Sequence, residues 1–484
     1  MRKVRRALLS IVLAAGMLFP LLGQVVAVQD TAPAVPRIYV HGYQATPLYA
    51  YYHSKVSNKR LNVSTDQLAQ AIKKALPKTL FAVATAQWTK AVDACVDVTD
   101  NVFSAIATDA DGESLNPNIT TRPSDDPTFR LMKEQPYYNF RYDYRLDPLK
   151  SADQLAEYID AVKAGNYCDK VALLAHSAGG TVVMSYLAKY GNASVDGLVL
   201  MNAAHNGLDF VGQGFAGKIG LDPATLAAFM ANDSLQGSLI YSLYEKLRGT
   251  GLEDTALRTV DHILKNAGDD LMRRAILPYF ATSPMVWAFV PDEYYEAAKR
   301  YVFGNDKAQY AKLITRIDDY HYTVQVRTAQ LLTELNKTGA KVAIIASYGA
   351  VAFPVTQDVT KTGDMLIDLA HASSGATVAK RGETLGENYR QQVLDGHNHL
   401  SPDGLIDASG AVLPEQTWFL KNNNHEDILS NKMTDWLLTG KRARTVFDNE
   451  EYPQFLTRSS RYFKRYLPTL ADTVPRLEEK RGAQ

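Results

Sequence analysis

The stretch KVALLAHSAGGTVVMSYLAKYG, Lys170 to Gly191, constrains the fold more than any other. An apolar run ends in Ala-His-Ser-Ala-Gly-Gly and a helical pattern starts at once, as where a buried strand turns directly into a helix. A serine hydroxyl is a poor nucleophile at neutral pH and needs a base and an exposed position. A tight strand-to-helix turn lifts the hydroxyl above the C-terminal edge of a sheet. It also forces strained backbone geometry on the serine and brings the residues two before and two after it together, so both must be small. Here they are Ala175 and Gly179. The helix behind Ser177 would aim its free N–H groups and positive dipole end at the reacting oxygen. Ser177 is therefore the candidate nucleophile, and a buried turn serine without chemistry is the bland alternative. Ser347 in IIASYG also ends a β-rich run, but Ile345 two places before it is too bulky for such a turn.

The rest of the chain alternates short β-rich runs with longer helical patterns, which predicts an α/β fold with a mostly parallel sheet flanked by helices. The runs are RIYVHG (37–42), YYNFRYDYR (137–145), KVALLA (170–175), VDGLVLMNA (195–203), AKVAIIASYG (340–349) and QTWFLKN (416–422). Ser151 and Gln154 suggest a capping box, and Asp222-Pro223 a capped helix start. Two intervals are too long to be loops. The expected division is a leader at 1–27, a first core part at 36–204 carrying a helical insertion at about 44–135, a helical cap or lid at 205–338, a second core part at 339–440 and a basic extension at 441–484.

A serine nucleophile implies further groups. The N–H of Ala178, directly after the serine, is one expected oxyanion donor, and Tyr43 in VHGYQ supplies the other, with Gly42 letting that loop come close. The base should be a histidine after the last strand. His425 in NNNHEDILSN sits there, while His397 and His399 in DGHNHLSPDG are rivals whose H-x-H spacing also suits a metal. His176 should point away from its neighbour and act structurally. The orienting acid should lie between serine and histidine; Asp364 in KTGDMLIDLAHASSG is first choice, with Asp368, Asp358 and Asp403 open as alternatives.

These residues resemble the α/β-hydrolase superfamily and, within it, bacterial lipase- or esterase-like proteins related to the lecithin:cholesterol acyltransferase group. The resemblance rests on YVHGYQ, YDYRLDP (142–148), LLAHSAGG and the late Asp and His, spanning residues 36 to 440. It implies a Ser177–Asp364–His425 triad, hydrolysis of carboxylic esters with no cofactor, and inserted helices acting as a lid. That group usually has Asp-Gly at the acid; here Met365 follows Asp364, whereas Asp403-Gly404 carries the dipeptide farther along. An acyltransferase would keep the same triad, and a peptidase or amidase would use the same scaffold. A binding protein on an inactive hydrolase fold would lack the serine or the histidine.

The N-terminus MRKVRRALLSIVLAAGMLFPLLGQVVAVQD has a basic head and an apolar run before small residues. It reads as a signal peptide cleaved after Ala27, or else as an uncleaved anchor, and both place the protein outside the cytoplasm or in the envelope. Lys+Arg and Asp+Glu are both 52, so no net charge draws the chain to nucleic acid. The expected partner is a small-molecule or lipid ester, and nothing in the sequence indicates an oligomeric state. Cys95 and Cys168 are read as one disulfide or two free thiols. FLTRSSRYFKRYL (455–467) is read as an amphipathic helix, packed on the domain or lying on an anionic membrane surface. TDADGE (108–113) lacks the glutamate spacing of a calcium loop, so no metal is expected.

Overall fold

The computed structural model describes residues 35–457 apart from 53–54, 62, 64, 86, 129–135, 221–222, 233–234, 237, 251–260, 262–264, 355, 358–361 and 428–430. The expected leader, Asp222, Asp358 and the chain from 458 onward lie outside the described residues. Among those described, no helix is long and apolar enough to cross a membrane.

Seven strands form the central sheet: β1 (Arg37–Val40), β2 (Tyr138–Phe140), β3 (Val171–His176), β4 (Val195–Met201), β5 (Lys341–Tyr348), β6 (Thr417–Lys421) and β7 (Phe455–Thr457). Their spatial order is β7-β6-β5-β4-β3-β1-β2, and every pairing is parallel. Parallel strands with both faces covered read as continuous apolar runs. Accordingly every residue of β3 is buried, as are all but the first of β5. The register Ala175↔Leu200 and His176↔Met201 brings the ends of β3 and β4 to the same edge.

The helix Pro148–Asn166 begins three residues before Ser151. Asp147 is its N-cap, accepting from the N–H of Leu149 at 2.8 Å, with proline at the first helical position. Ser151 instead donates to the Asp147 carbonyl, so the expected capping box is not formed. The helix Ala178–Tyr190 follows β3 without a linker, and its first ten residues are all buried.

The first long interval is not purely helical. Leu48–Tyr52, Lys55–Arg60 and Ile119–Thr121 form a three-stranded antiparallel sheet, and the interval also holds the helices Thr65–Ala84 and Trp88–Phe103. The second interval is helical among its described residues, but its last helix, Thr328–Lys337, packs on the helix Ala178–Tyr190 and on β5 as part of the core. The two insertions also meet each other. Ala82, Ala91, Val92 and Ala267 share a small apolar cluster. The rings of Phe103 and Phe280 lie 4.6 Å apart, and Arg274 pairs with Asp93 at 2.5 Å.

The start of the expected C-terminal helix is corrected as well. Phe455–Thr457 is an edge strand pairing with Phe419–Lys421 rather than the start of a helix, so the core runs past residue 440. Phe455 and Leu456 are buried there, which is why an apolar count alone suits either element. Cys95 and Cys168 are both free thiols.

Candidate active site

The turn after β3 holds Ser177 at φ 53° and ψ −125°, a strained conformation for a residue other than glycine. Close packing around it needs small neighbours. A Cβ on Gly179 would lie 2.0 Å from the Val40 carbonyl oxygen, and one on Gly180 would lie 2.7 Å from Ala203 Cβ. A Cβ on Gly42 would lie 2.8 Å from Ser177 Cβ and 3.2 Å from its Oγ, so the Gly42–Tyr43 segment passes directly beside the hydroxyl. That loop is pinned from behind. Tyr142 donates to the His41 carbonyl at 2.8 Å, and Thr46 hydrogen-bonds His41 Nε2. The ring of Tyr43 meets those of Tyr144 and Phe289 at 4.6 and 5.9 Å.

His425 and Asp364 converge on this turn from 248 and 61 residues away in sequence, respectively to Ser177 and to His425. His425 Nε2 is 2.9 Å from Ser177 Oγ, and His425 Nδ1 is 2.8 Å from Asp364 Oδ2. A carboxylate only accepts, so Nδ1 carries the hydrogen and Nε2 of the neutral ring is left to accept from the serine hydroxyl. All three side chains are buried: Ser177 is 5 %, His425 7 % and Asp364 0 % exposed. Burial opposes a charge on His425, yet the Asp364 carboxylate outweighs it through its charge and hydrogen bond, with Glu426 adding to it, and raises the pKa.

The acid sits in a tight turn. Asp364 Oδ1 accepts from the N–H groups of Leu366 and Ile367 at 2.9 and 2.7 Å. Met365 has φ 86°, which is glycine territory. That explains why Asp-Gly is the natural sequence for such a turn, and it marks Met365 as strained. The other acids are engaged elsewhere. Asp368 binds His371 Nδ1 at 2.7 Å, and Asp403 pairs with Lys421 at 2.8 Å.

The rival histidines are satisfied apart from this site. His399 bonds Gln454 through Nδ1 and Asp395 through Nε2, and His397 stacks on Phe447 at 4.2 Å. Among the described residues no group of histidine, cysteine and acid side chains is arranged to hold a metal. A second serine–histidine contact, Ser374 Oγ to His205 Nε2 at 2.6 Å, is buried, and His205 Nδ1 is turned to the Ala203 carbonyl rather than to an acid.

Near the site, Asn202 and Asn232 carry no local sequence signal, whereas His176 is the histidine expected to act structurally. His176 and Asn202 bind the His425 carbonyl. Asn232 of the cap exchanges two amide hydrogen bonds with Asn424, at 3.1 and 3.3 Å. The YDYRLDP segment has a scaffold role. Arg145, 2 % exposed, pairs with Asp143 at 2.6 Å and donates to the carbonyls of Ile106 and Ile119. It thus fastens the first insertion to the core.

The family described as alpha/beta hydrolase fold matches residues 114–312, a stretch that contains Ser177. With the seven-stranded parallel sheet and the helices on its faces, the chain has the α/β-hydrolase fold. No curated protein matches it. Among solved structures it is similar to Est816, described as an N-acyl homoserine lactone degrading enzyme, at 14% identity over 44% of this chain and 65% of that one, with a TM-score of 0.16. It is also similar to the esterase RhEst1 from Rhodococcus sp. ECU1013, at 16% identity over 53% of this chain and 79% of that one, with a TM-score of 0.15.

Proposed function

We propose that this chain is a serine hydrolase that cleaves carboxylic esters through an acyl-enzyme on Ser177. The carrying observation is the unbroken line from Ser177 Oγ to His425 Nε2 at 2.9 Å and from His425 Nδ1 to Asp364 Oδ2 at 2.8 Å. In this reading His425 takes the hydroxyl proton as Oγ attacks the ester carbonyl. The N–H groups of Tyr43 and Ala178 receive the developing oxyanion, each such donor being worth about 2.7–4 kcal/mol of barrier. His425 then protonates the departing alcohol. Water, activated by the same imidazole, releases the acid.

The aromatic cluster of Tyr43, Tyr144 and Phe289, built on the residue that follows Gly42, supports an apolar acyl group, as does the resemblance to lipase-like proteins of the lecithin:cholesterol acyltransferase group. With Ser177 only 5 % exposed, substrate reaches it when the inserted helices shift, and in this role they are a lid. The basic and apolar N-terminus supports an exported enzyme. The test is hydrolysis of p-nitrophenyl esters of rising chain length by the protein and by Ser177→Ala. The reading expects octanoyl to be preferred over acetyl and the variant to be inactive. Turnover retained by the variant rejects the nucleophile, and preference for acetyl rejects the apolar acyl site.

A further inference from the structure

His425 is held by its main chain as well as by its ring. Its N–H donates to the Asp364 carbonyl at 2.9 Å. Its carbonyl accepts from His176 Nε2 at 2.8 Å and from Asn202 Nδ2 at 3.3 Å. His176 is the last residue of β3, directly before Ser177, and is 3 % exposed. Asn202 follows β4, and its Oδ1 accepts from the Ser347 N–H of β5 at 3.0 Å. Ser347 Oγ in turn accepts from Asn423 Nδ2 at 2.8 Å. Three neighbouring strand ends therefore grip residues 423–425.

A carbonyl only accepts, so His176 Nε2 carries the hydrogen of that bond. Burial and the neighbouring His425 both lower the His176 pKa, which keeps the ring neutral. Neutrality matters, because its centroid is 5.0 Å from that of His425, where an imidazolium forms during the reaction.

We propose that His176 is a positioning residue: it ties the main chain of the base to the strand that ends in the nucleophile, and so fixes the His425 Nε2 to Ser177 Oγ separation. The proposal rests on the serine-hydrolase reading above. Its plainer rival is a buried histidine that only stabilises the fold. A displacement of about 1 Å in a catalytic geometry can cost on the order of 100-fold in rate, whereas a merely structural histidine changes stability and leaves the chemistry of the folded fraction intact.

The experiment compares His176→Ala with His176→Gln, whose amide can still donate to the His425 carbonyl. Three quantities are read on the full chain: kcat and KM for a p-nitrophenyl ester, the acid limb of the pH–kcat/KM profile, and the low-field proton resonance of His425 Nδ1–H. His176→Ala is expected to lower kcat about 10- to 100-fold with KM nearly unchanged. Its acid limb should move to lower pH, because a looser Asp364 contact raises the His425 pKa less, and the resonance should broaden or move upfield. His176→Gln should restore most of all three. Native kcat, pH limb and resonance in both variants overturn the proposal, as does a loss of thermal stability with these readings unchanged. If His176→Ala does not fold, His176→Met, which keeps the bulk but has no donor, takes its place: native readings in it overturn the proposal, and readings lost in it but restored in His176→Gln support it. The resonance needs no turnover. A protein that hydrolyses no ester yet loses the resonance in His176→Ala would therefore refute the hydrolase reading while leaving the positioning role standing.

Discussion

Gly179→Ala tests the geometry of the serine turn through a single methyl group. The added Cβ would stand 2.0 Å from the Val40 carbonyl oxygen, 2.8 Å from its carbon and 3.1 Å from the His41 carbonyl oxygen. Against a normal separation of about 3.5 Å for packed heavy atoms, the first contact overlaps by about 1.5 Å. Both partners are backbone. Val40 is fully buried on β1, and the helix start is enclosed on all sides, so no flexible side chain can absorb the overlap. Overpacking ordinarily costs about 1–3 kcal/mol, and a backbone clash belongs at or above the top of that range. Relief must come from moving β1 and the Gly42–Tyr43 loop, or the Ser177 turn, and a shift of about 1 Å there is enough to lose about 100-fold in rate. The matched control is Gly214→Ala. It lies in the helix Asp209–Phe215, where an added Cβ meets nothing within 4 Å, and alanine should stabilise a helix by about 0.5–1 kcal/mol. Thermal unfolding and esterase activity are measured on both. Gly179→Ala should unfold at lower temperature and lose activity, and Gly214→Ala should do neither. If Gly179→Ala matches the parent in both assays, the close approach of helix and strand is not as described and the turn argument fails.

Two other perturbations probe the base and the acid. In the proposed mechanism His425 must be neutral to take the serine proton, and Asp364 raises its pKa above the ordinary 6.5. Esterase kcat/KM should therefore fall as pH drops through a midpoint above 6.5, and Asp364→Asn should move that midpoint down while lowering kcat by about 10⁴-fold; an unchanged limb in the variant would remove Asp364 from the site. Met365 carries φ 86°, so Met365→Gly should leave the unfolding temperature unchanged or raise it with activity kept. Met365→Val, β-branched in the same conformation, should cost about 1–3 kcal/mol, and equal stability of the two variants would contradict the strain.

What could be read from the sequence follows from how local each signal is. The β3–Ser177–helix segment is legible because the strand, the turn and the small residues at 175, 179 and 180 are contiguous. The buried strands β4, β5 and β6 announce themselves as unbroken apolar runs. His425 is legible as the histidine directly after β6. Asp364 is less so, since the glycine expected after it is replaced by Met365 and Asp403-Gly404 offers a decoy; only the three-dimensional turn separates them. The antiparallel strands at 48–60 have mixed polar patterns such as KVSNKR, and Leu48–Ala50 pair with Ile119–Thr121 far along the chain, so no local run marks them. β7 is three residues long and buries both faces of its edge, which lets FLT pass for a helix start. The grip on the His425 carbonyl joins residues 249 apart and has no sequence pattern at all.

The most direct measurement of the central claim is site mapping with a fluorophosphonate probe, which phosphonylates only a serine activated by its base. The account predicts one adduct per chain, located by mass spectrometry on Ser177, and none on Ser177→Ala. An adduct on another serine, such as Ser374 beside His205, or labelling undiminished in Ser177→Ala, would contradict it.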